Sequence, residues 1–343
     1  MNRSITLFLC LLVCSFKCID ELIVVPENWP NPKYNFENNR LTEPKILLGR
    51  VLFYDPILSA NNTISCASCH SPFSAFTHID HTLSHGIFDS IGNRNSIALM
   101  NLAWQNTFMW DGSINHLDMQ ALAPLSHPKE MASSIDLLVQ KVNKSTFYKN
   151  LLYKAFGDSL ASGEKLLKSM SQFMLTLISS NSKYDKVKAG KEIFTSQEQN
   201  GYYLYKKNCS ACHTEPLFSN YEFANNGLKL DTSLNDIGRF LITKNPSDSL
   251  TFKTPTLRNI EYTYPYMHDG RFTKLMQVIN HYTSGIERNK TLHNKLQMPI
   301  ILTEKEKVDL ISFLLTLSDR EFLFNKKFAF PKEVYSESGS NSK

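Results

Sequence analysis

Three features of the sequence predict an all-α fold built as two small helical domains. Apolar residues recur at three-and-four spacing, period-two alternation is scarce, and one short cysteine–histidine motif occurs twice, once in each half. The 343 residues suit two domains of ordinary size once a leader is set aside.

The chain starts Met1-Asn2-Arg3-Ser4 and continues with an apolar run from Ile5 to Cys14. Arg3 supplies the charged start, and the run is too short to span a bilayer. Residues 1–20 are therefore expected to be a secretory leader. Lipidation of Cys14 or Cys18 is an alternative that would tether the protein to a membrane, although Val13 and Lys17 fit that modification poorly. Residues 21–185 are the expected first domain and 186–330 the second, joined through the polar stretch Asn181 to Gly190. Residues 331–343, where the chain turns to Ser, Gly, Asn and Lys, are expected to be a flexible tail.

Helical stripes mark both domains. Leu166, Leu167, Met170, Phe173, Met174 and Leu177 fall on one face, and the two methionines read as core. Thr195-x-x-Glu198 opens a helix that leads into Cys209. Thr303-x-x-Glu306 opens another through Val308, Ile311, Leu314 and Leu315.

The repeated motifs are Cys66-Ala67-Ser68-Cys69-His70 and Cys209-Ser210-Ala211-Cys212-His213. Two thiols three positions apart reach the two vinyl groups of one porphyrin, and the next histidine ligates the iron. A zinc site or a dithiol would also use C-x-x-C, but neither explains a histidine immediately after both pairs. Of seven cysteines, three lie in the first twenty residues and four belong to these motifs. The sequence thus predicts two cytochrome c-like domains, each with one covalent haem c. A net charge of +5 without a basic run gives no support to nucleic-acid binding.

Longer segments carry a family resemblance. Leu48-Gly49-Arg50-Val51-Leu52-Phe53-Tyr54-Asp55-Pro56 leads toward the first motif; Gly92-Asn93-Arg94-Asn95 and Trp110-Asp111-Gly112 lie between the two motifs. Thr254-Pro255-Thr256-Leu257-Arg258-Asn259 and Pro265-Tyr266-Met267-His268-Asp269-Gly270 follow the second. In this order they resemble the bacterial dihaem cytochrome c peroxidases and their relatives, among them the dihaem enzyme that matures tryptophan tryptophylquinone.

That resemblance implies hydrogen peroxide as substrate at the N-terminal haem, with His70 as its iron ligand. It implies electrons from a small cytochrome or another periplasmic carrier, a periplasmic location and, often, a homodimer. In the family a catalytic Gln and Glu follow the inter-haem Trp at intervals of ten and twenty, which Trp110, Gln120 and Glu130 match. The oxygen–oxygen bond breaks heterolytically once a proton has moved from one oxygen to the other. Glu130 would carry that proton, Gln120 would hold the peroxide, and Trp110 would bridge the haems. A calcium ion held by Asn95, Thr263 and Pro265 is also implied.

His213 would ligate the second iron. On the opposite side the aligned residue is Tyr282, where the well-known peroxidases have Met; Met267 is the rival ligand. A phenolate favours ferric iron and lowers the potential that Met would raise. Oxidation of a protein or organic substrate through a stored oxidised state is therefore a second reading; an electron carrier without turnover is a third. His85 lies near the position of a histidine that blocks the peroxide haem in many relatives, with His78 and His81 as competitors. His268 is expected near a haem propionate, and His116, His127 and His281 are assigned no chemistry.

Overall fold

The computed structural model describes residues 18–20 and 22–340; residues 1–17 of the expected leader, with Cys14, lie outside the described residues. The fold is mainly helical. Two minimal antiparallel pairs join Cys18–Asp20 to Ile23–Val24 and Phe223–Ala224 to Phe252–Lys253, with Phe223 opposite Lys253. Among the described residues no helix is long and apolar enough to cross a membrane.

Each half is organised around a crossing of two helices, and in both a glycine permits it. Helix Glu43–Tyr54 starts at Thr42, whose side chain accepts from Lys45 N, with proline in its first turn. It packs on helix Gly163–Leu175. A Cβ on Gly49 would sit 1.9 Å from the Ser169 carbonyl oxygen, so the two backbones touch where the side chain is missing. In the second half, helix Ser196–Asn208 packs on Glu304–Leu315. A Cβ on Gly201 would lie 2.0 Å from Asp309 O. Both of these helices open with the expected capping boxes, at Thr195 with Glu198 and Thr303 with Glu306.

The stripe from Leu166 to Met174 is buried on helix Gly163–Leu175, with Leu177 just beyond its end. One apolar cluster belongs to the first half and includes Leu48, Leu52 and Met170. Another belongs to the second half, around Tyr205, Phe218 and Phe313. A third crosses between them: Phe53, Phe76 and Phe173 pack with Leu217, Phe322 and Phe328.

Two stretches carry local structure that the sequence reading did not assign them. The polar stretch at 181–190 contains a helix, Lys183–Lys188, capped by Ser182. Its polarity serves the cap and a buried ion pair: Asp185 accepts from Arg258 at 2.8 and 2.7 Å, and Arg258 is fully buried. The expected tail carries a helix at Lys332–Ser340. Tyr335 stacks on Phe330 and Phe147, and Glu333 pairs with Arg50 at 3.0 Å. Aromatic anchors in a polar context hold it against the first half.

Candidate active site

The first motif forms a single helical turn, Cys66–Cys69, which sets its two thiols one turn apart on a shared side. Ser68 Oγ accepts from Ser65 N at 3.1 Å and fixes the start of that turn. His70 follows, and its Nδ1 donates to the Phe76 carbonyl at 2.6 Å. That bond commits one ring nitrogen and leaves Nε2 unprotonated as a ligand atom. Burial pushes the His70 pKa down to about 4, so the ring is neutral.

Glu130 stands close to this motif. Burial, then the neighbouring Cys69 and more weakly Glu130, push the Cys66 thiol up to about 12. Burial followed by the Glu130 charge pushes Cys69 up to about 11. Glu130 itself is raised by burial, partly offset by His127, whose Nδ1 lies 3.7 Å from Glu130 Oε1. The backbone of Glu130 is pinned as well. Its carbonyl accepts from Ile87 N at 2.8 Å, and Gly86 lies directly against it.

The same loop brings His85 to the motif. Cys69 Sγ is 3.3 Å from His85 O, and His85 Nδ1 is 2.9 Å from Asp89 Oδ1. The His81 ring packs on His85 at 4.1 Å and on His78 at 5.0 Å, so the three competing histidines form one column. Gln120 ends the helix Leu117–Gln120 and donates to Met109 Sδ at 3.7 Å, which ties it to the residue beside Trp110.

Trp110 is buried, and its Nε1 donates to Asn95 O at 2.9 Å. It forms part of the wall of a cavity of about 240 Å³ that also contains the second motif. There His213 Nδ1 donates to Phe218 O at 3.3 Å and Pro255 O at 3.1 Å. Burial pushes His213 down to about 4 and Cys209 up to about 12. Both motifs therefore combine two thiols with a neutral imidazole whose Nδ1 is already engaged, and the second adds a cavity. The residues fit c-type haem.

Tyr282 and Met267 both line this cavity. Burial, tempered by a hydrogen bond with Asn226, pushes Tyr282 up to about 12, and the neighbouring Cys209 and Cys212 add to the rise. Tyr282 lies in a π-helical turn, His281–Gly285, an irregularity that recurs at functional sites. Asn95, Thr263 and Pro265 line the cavity too, and Asn95 Nδ2 donates to Thr82 O at 3.0 Å. His268 also lines it and stacks on Phe252 at 3.7 Å between ring centres.

Sequence reasoning missed three residues: His127 beside Glu130, Asn226 between the rival ligands, and Lys253, buried in the cavity wall. Asn226 and Lys253 lie outside the chemistry-bearing motifs, and His127 carries no local signal beyond its type. His116 caps a helix, and His281 Nε2 donates to Asn226 O at 3.0 Å.

Comparison with known proteins gives a consistent picture. A family model described as di-haem cytochrome c peroxidase matches residues 43–193, and one described as cytochrome c matches 198–318. The methylamine utilization protein MauG of Methylorubrum extorquens is 34% identical over 304 residues, covering 85% of this chain and 82% of the relative. The cytochrome c551 peroxidase of Nitrosomonas europaea is 33% identical over 275 residues, 79% of each chain. A solved MauG-like protein associated with microbial copper homeostasis has a TM-score of 0.79 at 31% identity, covering 90% of this chain and 98% of its own. The diheme peroxidase BthA from Burkholderia thailandensis shares the fold, with a TM-score of 0.72 at 20% identity over 85% of this chain and 91% of its own.

Proposed function

The chain belongs to the di-haem cytochrome c peroxidase family, and from that premise we propose how its own residues divide the work. It is an enzyme with two haem c groups in two cytochrome c-like domains, and it reduces hydrogen peroxide with electrons from a cytochrome donor. When bound, the first haem supplies the iron at which the oxygen–oxygen bond is cleaved.

Glu130 takes a proton from one peroxide oxygen and returns it to the other. The observation that carries this assignment is a half-buried carboxylate whose charge reaches both thiols of the first motif. A carboxylate pKa raised by burial suits a group that must both accept and release a proton. Gln120 orients the peroxide, and Trp110 offers an oxidisable ring on the wall of the second cavity. His70 and His213 would each ligate the iron of one haem, and Tyr282 would be a further ligand to the iron of the C-terminal haem. His85, held by Asp89, is the residue that would obstruct the first haem. Asn95, Thr263 and Pro265 would hold the calcium ion; all three line the cavity of the second motif and offer hard oxygen atoms.

We place the protein in the periplasm behind a cleaved leader, with the domains meeting near residue 185. Assembly as a homodimer, and lipidation of Cys14 or Cys18 as the alternative mode of attachment, complete the proposal. Oxidation of a protein or organic substrate is the second reading. Tyr282 in the cavity favours it, because a phenolate ligand stabilises the oxidised iron. Peroxide titration of the purified holoprotein, followed by optical and EPR spectra, separates the readings. Peroxidase function requires rapid turnover with a reduced cytochrome. A slowly decaying oxidised state that is indifferent to the cytochrome would favour the second reading.

A further inference from the structure

Lys253 is 2% exposed, an unusual position for an ammonium group. It is held from three directions. Its backbone N donates to Trp110 O at 2.7 Å, and its Nζ donates to Gln105 Oε1 at 2.8 Å and to Thr107 O at 2.7 Å. The strand pair with Phe223–Ala224 fixes its register, and the preceding Phe252 stacks on His268. Lys253, His268 and Gln105 all line the cavity of the second motif.

Both acceptors on Nζ are neutral, and an ammonium has three N–H groups. Among the described residues no carboxylate lies within 4.0 Å of Nζ. Asp111, whose charge does favour the protonated form, is engaged by Arg94 at 2.6 Å. Burial pushes Lys253 down to about 7 in the protein alone. Beyond its two neutral acceptors the ammonium meets the Phe108 ring at 5.8 Å, and a buried cation with no anion beside it is costly unless an anion enters. The group that fits this cavity carries two carboxylates of its own.

We propose that Lys253 is a cofactor-binding residue whose third N–H pairs with a propionate of the haem held by Cys209 and Cys212. The same side chain then links that haem to the Gln105–Trp110 segment, because its other two bonds and its backbone all end there. This inference rests on the second cavity taking haem c. The positive charge favours the reduced, less positive iron, so it raises the reduction potential of that haem.

The test uses holoprotein with the haem number counted by mass spectrometry. In K253M and K253Q the potential of the second haem, read by spectroelectrochemistry, should shift downward, and the propionate-bending band in its resonance Raman spectrum should move. K253R keeps the charge and should keep a potential close to that of the parent protein. An unchanged potential and an unchanged band in a fully loaded neutral variant would overturn the proposal. So would a K253R potential as low as that of a neutral variant, which also decides the matter where K253M and K253Q fail to fold. A parent protein with a single haem would instead sink the cavity assignment itself.

Discussion

The side-chain amide of Asn226 donates to Met267 Sδ at 3.5 Å, on the wall of the cavity that also receives Tyr282. Asn226 therefore engages the thioether that would otherwise compete for iron, and it bonds the tyrosine as well. On the proposed assignment Tyr282, whose ionised form the Asn226 bond favours, would ligate the second iron. Tyr282→Phe should change the ligand-field spectrum of the second haem and raise its potential, whereas Met267→Leu should leave the spectrum nearly unchanged. EPR of the two ferric variants checks this, and a lost signature in Met267→Leu would reverse the assignment.

Glu130→Gln should retain both haems while losing roughly 10²–10⁴-fold in peroxide turnover. Burial raises the Glu130 pKa, so the ionised base becomes available only above the ordinary carboxylate range. Activity should therefore rise with pH through that shifted value, and the acid limb should vanish in the variant. Steady-state pH profiles with a reduced cytochrome provide the measurement.

Trp110→Phe removes the donor to Asn95 O and should cost about 1–3 kcal/mol through the stranded carbonyl. Electron passage from the second haem to the first should also slow. Stopped-flow reduction followed at each haem, together with a denaturant melt, separates the two effects.

Arg258→Met leaves Asp185 without its bidentate partner and should destabilise the protein by about 3–5 kcal/mol. Burial alone would raise Asp185, but the bonds from Arg258 and Ser182 hold it below the usual range. A depressed folded value stabilises the protein above the unfolded value of about 3.9, and that stability fades as pH falls through the folded value. The variant should lose this acid-side dependence, as thermal melts between acid and neutral pH would reveal.

Gly201→Ala should cost about 1–3 kcal/mol, since a methyl group would meet the Asp309 carbonyl across the helix crossing. Equilibrium unfolding of the holoprotein measures it directly.

Much of this architecture was legible in the residues. The two motifs, the capping boxes at Thr195 and Thr303 and the stripe from Leu166 all depend on local spacing, and local spacing survives folding unchanged. What stayed hidden was non-local. Asp185 reads as part of a solvated linker until Arg258, far along the chain, is placed on it. Lys253 reads as a surface charge until Gln105 and Thr107 close around it. Tyr335 looks like part of a frayed end until Phe147 and Phe330 come beside it. In each case the partner lies on another element, and no sequence interval encodes the meeting.

The aromatic cluster that crosses between the halves has a consequence for the N-terminal attachment site. Phe76, whose carbonyl holds His70, packs against Phe322, and Phe328 belongs to the same group. Those last two rings come from the far end of the chain, so the wall behind the N-terminal attachment site is complete only when residues 322 and 328 have docked on it.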